Sequence, residues 1–315
     1  MTNFRIKNST FFKILAVMLV LMGLGLLGFL LIPFGGPSRA ESIFVQIQST
    51  MTMQAQFNNF SYPIYLTRVA ELKSPTRPSS TNTPPIPVKT KTSDIDGTVL
   101  VNIPAGTFVM GEPGKLQTVF LDEYWIDQLL VTNANYLKCV QSGKCPDLIH
   151  TETLNQHFLD PRYANHPVVY VNWFNAVDYC EWVGGHLPTE AQWEKAARGT
   201  DGRLYPWGDA EPNSTLLNFN KEIGETTEVG SYPAGASPYG LLDMAGNVRQ
   251  WIADWYSATY YDKIRAKNPL GPPNGIMRVL KGGSWADPGL RARSDHRLAH
   301  DPTSPGAPRG FRCVR

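Results

Sequence analysis

The run from Ile14 to Ile32, ILAVMLVLMGLGLLGFLLI, carries no charge and is about as long as a helix needs to cross a hydrocarbon core of roughly 30 Å. Such a segment cannot share a hydrated globular surface, so it divides the chain before any fold is considered. Arg5, Lys7 and Lys13 precede it and only Arg39 follows closely. That asymmetry predicts a cytoplasmic N-terminus at residues 1–13, a single transmembrane signal anchor at 14–33 and an extracytoplasmic remainder. A cleaved signal peptide is the alternative, because Ser38-Arg39-Ala40 resembles a small-residue cleavage site; both readings export the rest of the chain. Residues 34–73 form a membrane-proximal segment. Ile43, Val45, Ile47, Met51 and Met53 alternate there with polar residues, which suits a strand, although Phe44 breaks the pattern and a short helix stays open. Residues 74–96 are rich in Pro, Ser and Thr. They have too little apolar surface to offset the entropy of folding and read as an extended linker.

Residues 97–315 are left to fold as one domain. Over the whole chain Lys+Arg 29 against Asp+Glu 27 leave a net charge of +2, which gives no electrostatic case for a nucleic-acid partner. Short apolar pieces at Val99–Ile103, Gly106–Gly111 and Val119–Ile126 read as strands. A first helix is predicted from the N-cap Thr132 through Gln141, stopping near Gly143. A second starts at the N-cap Asn172, buries Ala176, Tyr179, Cys180 and Val183 on one face, and stops at Gly184-Gly185. A third opens with the capping box Thr189-Glu190-Ala191-Gln192 and ends at Gly199. Beyond it the chain reads as mostly loop. Cys139 and Cys145 are close enough for a local disulfide in an exported domain. A redox pair is the alternative, although it favours the tighter C-x-x-C spacing.

A series of blocks along the domain carries a family resemblance: NIPAGTFVMG (102–111), VFLDEYWID (119–127), HPVVYVNWFNAVDYCEW (166–182), HLPTEAQWEKAARG (186–199), GLLDMAGNVRQW (240–251), KGGSW (281–285) and GFRC (310–313). In this order they closely resemble the formylglycine-generating enzyme, or sulfatase-modifying factor, family. The resemblance implies an α+β class, a single compact loop-rich domain related to C-type lectins, here preceded by one transmembrane helix. Family members that make formylglycine oxidise a client cysteine with a pair of cysteines that bind Cu(I). Soft thiolates suit that ion, and both lie shortly after the Gly-Gly-Ser-aromatic block. Here the matching stretch, ADPGLRARSDHR (286–297), has no cysteine, so no copper is expected. The resemblance thus describes members that lack the catalytic pair. It points to a binding or scaffold module for a protein, peptide, glycan or envelope partner. The alternative is a formylglycine-generating-type oxidoreductase or other protein-modifying enzyme with a substituted site, in which Asp287, His296 and Arg297 are the nearby groups suited to acid-base or electrostatic work.

Around the family's cleft the binding candidates are Ser284, Trp285, Arg291, Arg293, Arg297 and Arg312, with a core anchor and loop braces as the competing roles for the Trp and the arginines. The family's calcium block transfers to Asp243, the carbonyls of Gly246 and Val248, and Gln250, with Arg249 and Gln250 standing where the family has Trp and Glu. Asn218 and the Phe219 carbonyl resemble part of a second calcium site. Structural Ca²⁺ is the cofactor so implied, a hard cation that takes oxygen ligands; ordinary hydrogen bonds holding these loops are the alternative. His296 and His300, flanked by Asp295 and Asp301, would share a face if helical and could then hold a divalent metal; a solvated loop is the alternative. Cys180 and Cys313 match positions that pair as a family disulfide, with two buried thiols as the alternative.

Overall fold

The computed structural model describes residues 88–148, 157–306 and 308–315. The apolar run 14–32, the alternating segment 41–53 and most of the linker lie outside them. Among the described residues no helix is long and apolar enough to cross a membrane.

Five strands come first: β1 (Thr90–Thr92), β2 (Val99–Ile103), β3 (Gly106–Met110), β4 (Gln117–Leu121) and β5 (Tyr124–Asp127). β1, β2 and β5 form an antiparallel sheet in that order, while β3 and β4 make a separate hairpin. β1 falls inside the segment read as linker. Its Thr-Lys-Thr residues are all exposed, so composition conceals an edge strand that joins through its backbone pairing with β2, with Lys91 Nζ also 4.5 Å from the Trp125 ring. The piece expected as one strand over 119–126 is two strands in two different sheets. It breaks at Asp122 and Glu123, where the Asp122 N–H turns to Asn268 Oδ1 at 2.9 Å.

The helices are α1 (Asn133–Gln141), α2 (Trp173–Trp182) and α3 (Glu190–Arg198). Each begins where the cap chemistry places it. Thr132 Oγ1 accepts from the Asn135 N–H, and Asn172 with Asn175, and Thr189 with Gln192, form reciprocal capping boxes. The region after α3, expected as loop, holds a four-stranded sheet ordered β8-β7-β6-β9: β6 (Arg249–Trp255), β7 (Arg278–Lys281), β8 (Leu298–His300) and β9 (Arg309–Gly310). Only β6 with β9 is parallel.

One core packs α3 against the N-terminal strands, including Ile103, Val119, Ile126, Trp193 and Val279. A second surrounds α1, α2 and the sheet, including Tyr136, Tyr179, Trp251 and Phe311. Both disulfides lie in the second core. Cys139–Cys145 closes the end of α1, and Cys180–Cys313 ties α2 to the C-terminus across 133 residues. The last residue is fastened too: the Arg315 guanidinium donates to Asp96 Oδ2 at 2.7 Å and lies 3.1 Å from Asp127 Oδ1.

Candidate functional site

β6 and β7 run antiparallel, with Gln250 opposite Lys281, and β9 places Arg309 beside Arg249. At the end of β7 the chain turns through Gly282 (φ +88°) and Gly283 (φ +69°), which glycine adopts without the strain a side chain brings. A Cβ on Gly283 would sit 2.9 Å from the Arg291 carbonyl, so this turn also lets residues 289–292 close over it. The turn delivers Ser284 to Asp287. Ser284 Oγ donates to Asp287 Oδ2 at 2.7 Å. Arg249 completes the arrangement bidentately, with Nε to Oδ2 at 2.8 Å and Nη2 to Oδ1 at 2.6 Å. The strap 218–221 lies alongside, its Asn220 and Lys221 N–H groups donating to the carbonyls of Asp287 and Trp285.

Asp287 is 5 % exposed. Burial opposes its ionisation, but the hydrogen bond and charge of Arg249, the Ser284 hydroxyl and the Arg291 charge outweigh burial and hold the carboxyl below the ordinary aspartate range. It is an anion whose two oxygens already accept three hydrogen bonds, which makes it a weak base. His296 is pushed down to about 4 by burial, with the charges of Arg291 and Lys281 adding, so it is neutral at pH 7. It sits in a turn and His300 in β8, with no helix joining them. Among the described residues no cluster of three or more His, Cys, Asp or Glu could hold a metal.

The remaining cleft candidates separate by what holds them. Arg297 clamps Glu190 with Nε at 2.6 Å and Nη2 at 2.8 Å. Arg312 is fully buried and donates to Gln250 Oε1 and to the carbonyls of Asp127, Gln128, Leu242 and Asp243. Arg293 pairs with Asp295. These three guanidiniums brace the interior. Arg291 instead has a side chain 35 % exposed and approaches Asp287 at 3.9 Å, and Trp285 is half-buried. Ser284, Asp287, Arg291 and Trp285 therefore stay together at the centre. Sequence shows Arg249 only as a departure from the family block; its partner lies 38 residues away, a pairing that no local spacing displays.

The transferred calcium positions fit in part. Asp243 adopts φ +53°, and its Oδ2 accepts the Gly230 N–H at 2.6 Å, while its buried Oδ1 has no hydrogen-bond partner among the described residues. Asn218 Oδ1 is likewise buried without one. Gln250 is committed elsewhere: its Oε1 accepts from Trp193 Nε1 and Arg312 Nε, and its Nε2 donates to the Asp243 carbonyl. The Phe219 carbonyl accepts the Glu222 N–H at 3.2 Å.

Comparison with known proteins bears on the same residues. Residues 85–315 match the family described as "Sulfatase-modifying factor enzyme 1-like domain". The serine/threonine-protein kinase pkn1 of Chlamydia caviae is 37 % identical over 241 residues; the match covers 69 % of this chain but only 38 % of that relative, so the chain spans little more than a third of the kinase's length. The formylglycine-generating enzyme of Streptomyces coelicolor is 31 % identical, over 68 % of this chain and 88 % of that one. Among solved structures, PvdO from Pseudomonas aeruginosa superposes with a TM-score of 0.61 at 24 % identity, covering 72 % of this chain and 97 % of its own, a likeness of fold. With its ordered blocks, its mixed loop-rich architecture and these matches, the chain belongs to the sulfatase-modifying factor enzyme 1-like domain family.

Proposed function

We propose that this protein is a membrane-anchored, extracytoplasmic binding or scaffold module, in which the family's catalytic cleft has been converted to recognise a protein, peptide or glycan partner. One observation carries the reading. The chain has 4 cysteines and all of them lie in two disulfides, while the stretch where the family keeps its copper thiols is occupied by Asp287 locked to Arg249 and Ser284. A centre without thiolates lacks the soft ligands that select Cu(I) and the sulfur that would exchange with a client thiol. The apolar run 14–32 and the disulfides support an exported address, and the family resemblance supports the lectin-related class. A substituted enzyme would need a base at this centre. Asp287 already accepts three hydrogen bonds and is held below the ordinary aspartate range, and His296, lowered to about 4 by burial, is a weak base, so no observation favours that second reading.

Calcium belongs to the same proposal as a brace for the loops beneath the centre. Asp243 Oδ1 and the carbonyls of Gly246 and Val248 would hold it, without Gln250. EDTA should then lower the melting temperature and added Ca²⁺ restore it; an unchanged melting temperature would remove calcium from the proposal. The functional test is recovery of the partner held by the exported domain, followed by its mass analysis. An unmodified partner is expected, and a modified one would overturn the binding reading.

A further inference from the structure

The strands that build the centre bring more cations to it than it has carboxylates to match. Arg249 and Arg309 are neighbours in the parallel strands β6 and β9. Arg309 and His300 both lie near the Trp251 ring, at 6.0 and 5.9 Å. Arg291 approaches the same carboxylate as Arg249 from the loop after the Gly-Gly turn. Against these three guanidiniums stands Asp287. Asp295 is matched by Arg293, and Asp301 lies at the surface, where it accepts from Thr303. His300 is pushed down to about 4 by burial and by the charges of Arg309 and Arg249, so it adds no charge at pH 7.

Two polar atoms at this cluster have unused capacity. Arg309 is 9 % exposed, and its Nε, like His300 Nε2, is buried without a hydrogen-bond partner among the described residues. Those two atoms are enclosed, and Arg309 Nη1 donates to the Ser304 and Gly306 carbonyls, so the excess guanidinium charge is open to an oxyanion at its partly exposed member, Arg291, whose planar fork suits a carboxylate in particular. Arg291 keeps a partly exposed side chain, and Leu290, next to it in the chain, is exposed, while Trp285, next to Ser284, is half-buried, so apolar side chains flank the charge in sequence. That combination fits a peptide segment better than a bare inorganic ion.

We propose that the altered centre receives an acidic peptide segment, one Asp or Glu carboxylate of which is taken by Arg291, with the charge of the Asp287-paired Arg249 behind it, while a neighbouring apolar side chain rests on Leu290 or Trp285. The proposal rests on the binding reading above. It makes the charge preference of this cleft the reverse of one suited to a basic peptide.

The test uses the full chain with a labelled Gly-Glu-Leu-Glu-Gly peptide, its Gln and Lys counterparts, and inorganic phosphate as competitor. The Glu peptide should bind about ten-fold more tightly than the Gln peptide, as expected for a charged hydrogen bond, the Lys peptide should be weakest, and the preference should shrink as salt rises. Arg291→Ala should weaken the Glu peptide about five-fold without changing the melting temperature, because this side chain is partly exposed. Asp287→Asn, which removes the competing carboxylate, should tighten it, whereas a purely structural Asp287 would lower stability and leave affinity unmoved. Equal affinity for the Glu and Gln peptides, no binding at all, or full displacement by phosphate at the peptide's own concentration would overturn the proposal. A change in the mass of the recovered peptide would instead overturn the binding reading on which it rests.

Discussion

Lys281 shows how much charge this interior tolerates when each group is answered. The residue is 1 % exposed, with Nζ 3.1 Å from Glu194 Oε2 and 3.8 Å from Glu190 Oε1, and both glutamates are fully buried. Arg297 and Arg198 supply the remaining cations. Removing one partner from such a set leaves an unmatched buried charge, which costs far more than the pair itself contributes. Lys281→Ala should therefore lower unfolding free energy by about 3 kcal/mol, measured by urea denaturation; a change within experimental error would show that the glutamates do not need it. Asp254 makes a second residue-scale prediction. Burial, with Glu190 beside it, raises its carboxyl from 3.8 to about 8. A folded-state pKa above the unfolded value means that stability is present at low pH and lost as pH rises through about 8. Between about 4 and 6.5 the buried His296 and His300, both lowered to about 4, act with the opposite sign, since burial keeps them neutral while the unfolded chain would protonate them. The clear window is thus about pH 6.5 to 8. Across it the protein should lose about 1 to 2 kcal/mol, and Asp254→Asn should flatten the slope.

At the scale of elements, the Cys180–Cys313 bridge joins α2 to the C-terminus across 133 residues, a long loop whose closure constrains the unfolded chain. Replacing both cysteines by serine should cost about 2 to 5 kcal/mol, seen as a lower denaturation midpoint; an unchanged midpoint would mean that the surrounding core alone fixes the C-terminus. The elements also divide by how far their signals travel along the sequence. All three helices are legible to the residue at their starts, because Thr132, Asn172 and Thr189 each act within three positions. The sheet β8-β7-β6-β9 is not, since β6 finds β7 only after a long intervening stretch and β9 spans just Arg309 and Gly310. β1 is hidden for a different reason: its exposed side chains look like linker, and its membership in the sheet is written in backbone hydrogen bonds. The break at Asp122 depends on Asn268, again remote in sequence.

For the whole molecule, the family is readable from ordered blocks, and so is the absence of thiols between Ala286 and Arg297. What replaces them is not. Asp287 and Arg249 are each visible, one as an acid-base candidate and the other as a departure, but only the fold shows that they form one closed pair. The same holds for Arg297 and Arg312, which sequence places around a cleft and which the structure commits to Glu190 and to interior carbonyls. The family scaffold is kept, its framing glycines and disulfide included, while its centre is an ion pair. The sharpest check is incubation of the full chain with Cu(I), oxygen and a peptide bearing the C-x-P-x-R motif, with the peptide cysteine followed by mass analysis. The cysteine should be recovered without conversion to formylglycine; catalytic conversion that depends on this chain would show that the ion pair has not displaced the family's chemistry.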